Sequence, residues 1–471
     1  MKREMFACVL LAGLVFLLLS FIACDDDDDD NDDSSPADDD DNTDDDQTDD
    51  DEVSDDDALD DDDDSSPPIV PPAEELAPAP TDDIGVFVAV TGDDANPGTM
   101  ARPLRTIAAG LLRATVENKV VFVGSGEYGE AVTLTVSLYG GYCADWTRDF
   151  VACPSGIVAP IDEEVVAVSI IEQASETHLE GFHISATGGE FFTGVRVRQN
   201  TAPVRLYHNV IRGHDVVATT ADSRGVSGFY NDEVELFGND IATGALLAMD
   251  YATSIAVDLS AETLIIRENT LFTGFSFSGW GASSYPLDLG ASGDEPSLVI
   301  NNLAVGAGAA MVIRGPSLII NNTFAGGSQT LTFYSGEHTL INNVIAPGGR
   351  SGGVTPIFFY SQNEPRFRFF HNDIHTRGGS CYLDFYHGKI CTLDYLNECT
   401  WSNCLDAAGN IDSEPQFADE LYHPTTTSPL IDAGLSPVQW VTHPDIYHDL
   451  DRQYRPFNNL WDIGAYELHA Y

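Results

Sequence analysis

The chain has 471 residues, of which 76 are acidic and 21 basic, for a formal net charge of −55. Such a chain repels a phosphate backbone, which excludes nucleic acid as a partner. Forty-one glycines beside only three lysines, Lys2, Lys119 and Lys389, argue against a helical bundle.

The first element is a short basic start, "MKREM", followed by the apolar run "FACVLLAGLVFLLLSFIA" and Cys24. The run has the length of a secretory signal, and no other segment is apolar enough to span a membrane. The stretch "LSFIAC" resembles a bacterial lipoprotein signal, with Phe21 where leucine is commoner. The resemblance implies a signal peptide over 1–23, lipidation of Cys24 and display at the bacterial cell envelope, with the outer membrane or cell surface favoured. The membrane is then met through a lipid anchor alone. Next comes a tether over 24–83. Its Asp25–Asp64 block holds 27 acidic residues in 40 positions and no basic one, so it cannot bury a core and is expected to be disordered. A stiffer Pro-rich piece, "SSPPIVPPAEELAPAPTDD", ends it.

The segment 84–160 reads as an N-terminal cap with the first coils. "VFVAVTGDDANPGTMARPLRTIAAGLLRA" offers a strand, a turn, and then an apolar face at helical spacing made of Leu104, Ile107, Ala108, Leu111 and Leu112. Such a helix would cover the open end of a sheet.

From 161 to 408 the chain repeats itself. Aligned on asparagine, it reads "VRLYHNVI" (Asn209), "VELFGNDI" (Asn239), "LIIRENTL" (Asn269), "SLVINNLA" (Asn302), "SLIINNTF" (Asn322), "HTLINNVI" (Asn343) and "FRFFHNDI" (Asn372). The intervals of 30, 30, 33, 20, 21 and 29 residues indicate stacked units. β-Branched and aromatic residues punctuated by glycine make them strands. A unit of 20 residues, at about 3.3 Å each, allows three short strands and their turns. The asparagine is then a turn residue, hydrogen-bonded to its own turn and to the asparagine above. The final segment, 409–471, contains "NIDSEPQF", "SPLIDAG" and "DLDRQYRPFNNLWDIGAYE".

Together these stretches resemble the right-handed parallel β-helix, pectate-lyase-like family over 86–471. The expected fold is all-β, with about eight to ten coils, an N-terminal capping helix and a C-terminal cap. "SLYGGYCADWTRDF" resembles the link between cap and coil in surface proteins of this type.

Cysteines fit an exported chain. Cys143 and Cys153 close a ten-residue insertion. Cys381, Cys391, Cys399 and Cys404 leave three pairings open, of which Cys381–Cys391 with Cys399–Cys404 is favoured.

The resemblance implies glycan-related roles and no single reaction. Related hydrolases carry paired acidic residues and Gly-His-Gly and Arg-x-Lys signatures on the coil. This chain has "RGHD" at 212–215 and lacks those signatures, which argues against that chemistry. For a lyase, Lys119 and Lys389 stand far from mid-coil. One constellation points to a site. "IAVDLS" and "YPLDLG" occupy equivalent places in successive coils, so Asp258 and Asp288 should face outward with Cα atoms roughly 5 Å apart. Arg314 follows on the next coil. Two such carboxylates could take calcium as a cofactor. Trp280, Tyr334 and Tyr360 could stack on sugar rings. The competing reading is an ordinary polar exterior with packing aromatics. The reading adopted is a non-catalytic, monomeric glycan-binding module with polysaccharide as partner. The alternatives are a divergent polysaccharide lyase using calcium-assisted proton abstraction and a structural spacer.

Overall fold

The computed structural model of the chain describes residues 77–162, 164–327, 329–347, 355–359, 365–378, 381–385 and 388–469. They form a right-handed parallel β-helix, and each coil lays strands on three faces. The first face holds strands such as Glu164–Ile171, Phe191–Arg198 and Met311–Arg314; the second holds Thr177–Glu180, Val204–Tyr207 and Ser317–Ile320. The third is a ten-stranded sheet from Gly126–Tyr128 to Asp373–Ile374, which fixes ten coils, the upper end of the expected range. Successive coils pair in parallel on all three faces.

Strand alternation builds the core. On the first face Val168, Val195, Val226, Val257, Leu287, Met311 and Leu331 stand in register, one above another. All are buried. Each such side chain contributes about 1.5–3 kcal/mol of apolar burial. Ile211, Ile241 and Leu271 make the matching column on the third face.

The asparagine repeat is a ladder at the turn between the second and third faces. Asn209, Asn239, Asn269, Asn302, Asn322, Asn343 and Asn372 are all buried. The side-chain amide of each of the first six donates to the Oδ1 of the next asparagine at 2.9–3.1 Å. The same amide also donates to a strand carbonyl of the preceding coil, as Asn322 does to Val299 at 2.9 Å. The residue before each ladder asparagine is left-handed, with φ between 50° and 61° from His208 to His371. This explains the doubled "NN" of the shortest coils. The first asparagine tolerates positive φ, and the second makes the ladder. Two rungs escaped the sequence reading. Asn410 continues the ladder beyond Asn372 at 2.9 Å. A second, shorter ladder joins Asn200 to Asn231 at 2.8 Å between the first and second faces.

The N-terminal end is closed by helix α1, Ile107–Glu117. Thr106 caps it by accepting from Ala109 N at 3.2 Å, and the Glu130 carboxylate accepts from Ile107 N and Ala108 N. A negative charge on free N–H groups is the favourable arrangement there. Its buried face is Ile107, Gly110, Leu111 and Ala114. The expected stripe was rotated too far: Ala108 is exposed, Leu112 is 73 % exposed, and Leu104 is buried ahead of the helix. A carbon added at Gly110 would meet Val88 at 2.5 Å, which is why helix and coil approach so closely there.

At the far end the turn of helix α2, Leu393–Glu398, and the buried Trp401 close the coil. The disulfides pair as favoured: Cys143–Cys153, Cys381–Cys391 and Cys399–Cys404. The remaining chain, from about 411, returns as a strap along the flank. The reason is visible on the second face, where Ile300, Ile320, Ile341 and Phe370 form an outward apolar column. The strap buries it beneath Ile446 and Trp461. Asn301 Nδ2 holds the strap by donating to the carbonyls of Asp445 and His448 at 2.7 and 2.6 Å. Arg267 pairs with Asp445, and Arg452 with Glu268 at 2.8 Å, where the apolar column gives way to charge.

Candidate functional site

The outward column of the first face runs Ser169, Arg196, Ser227, Asp258, Asp288, Val312 and Thr332. Asp258 and Asp288 are direct register partners, as their shared sequence context predicts. Neither carboxylate is bare. Arg224 pairs with Asp258, and Arg314 pairs with Asp288. Arg224 also grips Asp222 in a two-pronged contact, Nε to Oδ1 at 2.9 Å and Nη2 to Oδ2 at 3.0 Å. The Arg314 guanidinium lies 4.8 Å from the centre of the Tyr334 ring. The result is a row of charges, Asp222, Arg224, Asp258, Asp288 and Arg314, in which every carboxylate meets a guanidinium.

Arg224 was missed because strict alternation fails at its strand. Gly225 and Val226 are both buried, so Arg224 and Ser227 both face outward. Gly225 makes this possible, since an added carbon would lie 2.2 Å from Ile241 Cγ2 and 2.5 Å from the Ala256 carbonyl. Burial raises the Asp258 pKa above the usual carboxylate range; the charges of Asp288 and Asp222 add to this, while Arg224 and Arg314 oppose it. Burial works against the charged form of Arg224, yet its bond to Asp222 and the surrounding carboxylates hold its pKa above the ordinary value.

The pair expected to take calcium is therefore met by protein cations on both carboxylates. Each carboxylate of the pair already holds a guanidinium, which a cation would have to displace. Among the described residues no group of three or more His, Cys, Asp or Glu side chains gathers as a cation site.

Beside Arg224 the face opens into a groove of about 700 Å³, lined by Phe191, Arg196, Arg198, Asp222, Arg224 and Phe229. Arg196 pairs with Glu164. Arg198 lies over the Phe229 ring at 4.3 Å and has no carboxylate partner among the described residues. Phe191 and Phe229 are both exposed.

Of the other candidates, Trp280 is 79 % exposed, but it lies eight residues before Asp288, up to roughly 25 Å away along a strand. It tops a ridge of three stacked excursions, two of them closed at the base by Thr243–Ser254 at 2.6 Å and Thr273–Ser284 at 2.8 Å. Tyr360 and Cys24 lie outside the described residues. His208 and His371 are left-handed turn residues of the ladder. The lysines stand away from the cluster: Lys119 donates to Asp82 O at 2.9 Å, and Lys389 pairs with Asp384 at 2.7 Å.

No protein-family profile matches the chain, and no curated protein matches it. Among solved structures, that of the pectate lyase Pel9A is similar at a TM-score of 0.41 and 13 % sequence identity, covering 81 % of this chain and 96 % of that one.

Proposed function

We propose that this chain is a lipid-anchored protein of the bacterial envelope that binds acidic polysaccharide along the first face, without catalysis. The observation that carries the reading is the arginine groove. In a chain of net charge −55, Arg196, Arg198 and Arg224 converge on one concave surface beside two exposed phenylalanines. Guanidinium forks match carboxylates in a two-pronged geometry, and flat rings pack against sugar faces. Arg198 is placed to take a ligand carboxylate because no protein carboxylate holds it among the described residues. The Asp222–Arg224–Asp258 chain beside it supplies fixed hydrogen-bond partners for hydroxyls.

Calorimetry with polygalacturonate tests the reading. Binding should persist in EDTA, weaken with salt as exposed charges are screened, and fall about tenfold in Arg198→Ala, the loss of one charge-assisted contact. A strict calcium requirement together with unsaturated products would move the reading to a lyase. No binding of any acidic polymer would leave a spacer.

A further inference from the structure

The strap forms a pocket that the arginine groove does not explain. Arg368 and Asp406 are near neighbours on the last two strands of the second face, and both point outward. Opposite them the strap presents Leu435, Gln439 and Trp440. The space between is about 480 Å³ and is floored by Phe370.

Each wall is fixed. The Asn342 side chain clamps the strap by donating to Leu435 O at 2.7 Å and accepting from Leu435 N at 2.8 Å. His371 Nδ1 meets Ala433 O at 2.9 Å. A short turn, Pro437–Gln439, then delivers Trp440, whose N–H donates to Pro437 O at 2.9 Å. The Trp440 ring packs 4.9 Å from Phe370 and remains part-exposed. Pre-set walls reduce the ordering cost of binding.

The polar groups on the walls are not all used. Arg368 is engaged by Glu337, which Arg366 also approaches at 3.6 Å. Neither the Asp406 carboxylate nor the Gln439 amide has a side-chain partner among the described residues, and both are exposed. Two arginines against Glu337 and Asp406 give no net local charge. The pocket therefore has no field to select an anion, and among the described residues it has no arginine that lacks a carboxylate partner, as Arg198 of the groove does.

We propose that this pocket is a second carbohydrate site, for one or two neutral sugar rings. A neutral pyranose has an apolar face that suits Trp440 and a rim of hydroxyls that suits planar acceptors and donors. A carboxylate can accept from two adjacent hydroxyls, and an amide can both accept and donate. The volume lies in the range of small-ligand sites. The site lies on a different face from the arginine groove, so neither depends on the other, and the protein would hold two unlike glycan segments at once.

The test is calorimetry on the full chain with four neutral probes, the β-linked trisaccharides of glucose, galactose, mannose and N-acetylglucosamine. At least one should bind, and excess polygalacturonate should not displace it. Asp406→Asn, an isosteric change at an exposed position, should weaken that binding about tenfold, as expected for one charge-assisted contact. Trp440→Ala should abolish it, with a melting temperature measured alongside to register any loosening of the strap. Absence of binding by all four probes overturns the proposal. So does binding that Asp406→Asn leaves unchanged, or that polygalacturonate displaces. Loss of polygalacturonate binding alone would count against the groove and leave this pocket standing.

Discussion

At the scale of single residues the ladder asparagine carries the clearest physical consequence. Asn322 is buried in the shortest coils. Its amide donates to Val299 O, Ile320 O and Asn343 Oδ1, and its Oδ1 accepts from Asn302 N and Nδ2. Replacing it with leucine removes these partners without shrinking the site. Each orphaned buried group costs about 1–3 kcal/mol. Asn322→Leu should therefore lower the melting temperature by many degrees, whereas Thr201→Ala, at an exposed turn, should leave it nearly unchanged. Equal melting temperatures would reduce Asn322 to a plain loop residue. Asn322 could be identified from sequence because a buried polar group must repeat its partner once per coil. Arg224 could not, since only the local break at Gly225 turns it outward.

Elements show where charge and burial compete. Asp373, on the third-face strand Asp373–Ile374, is completely buried. Its Oδ1 accepts from Ser413 N at 2.9 Å, and its Oδ2 has no partner among the described residues. Burial pushes its pKa up to about 8, and the charges of Asp412 and Glu414 add to that; the Ser413 bond opposes it. The folded chain then holds a proton that the unfolded chain releases near its ordinary value of 3.8. The stability this group contributes is fully present below about pH 4 and is lost as pH rises toward about 8. Asp373→Asn keeps the acceptor and removes the titration. Its melting temperature should match wild type near pH 4 and exceed it at pH 8. A variant no more stable than wild type at pH 8 would show that the carboxylate is ionised and compensated in the fold. The helix α1 makes a related point about elements. Spacing correctly predicted a helix here, but the strands it rests on chose its buried face, leaving Leu112 outside.

For the whole molecule the decisive feature is the strap. Ending the chain at Asn410 would bare Ile300, Ile320, Ile341 and Phe370 in one outward column. Exposed columns of that kind associate. The truncated chain should aggregate or bind an apolar dye at room temperature while the full chain does not, as light scattering and dye fluorescence would record. A monodisperse, dye-free truncated chain would make the strap an accessory. The anchor is a separate expectation for the intact chain: Cys24→Ala should release it from membranes, and a mature chain without lipid and starting far from Cys24 would end that idea. The sequence by itself determined the coil, its three-strand period, the asparagine turn and the Asp258–Asp288 register. All of these repeat, and a repeat is a local rule applied many times. Only the tertiary structure decided that arginines from other coils neutralise those carboxylates, that a groove opens beside them, and that the last sixty or so residues fold back to cover an apolar flank. Those contacts join residues far apart in the chain, such as Arg267 and Asp445, 178 positions from each other. No spacing in the chain encodes them, because each depends on which surface the finished coil leaves uncovered.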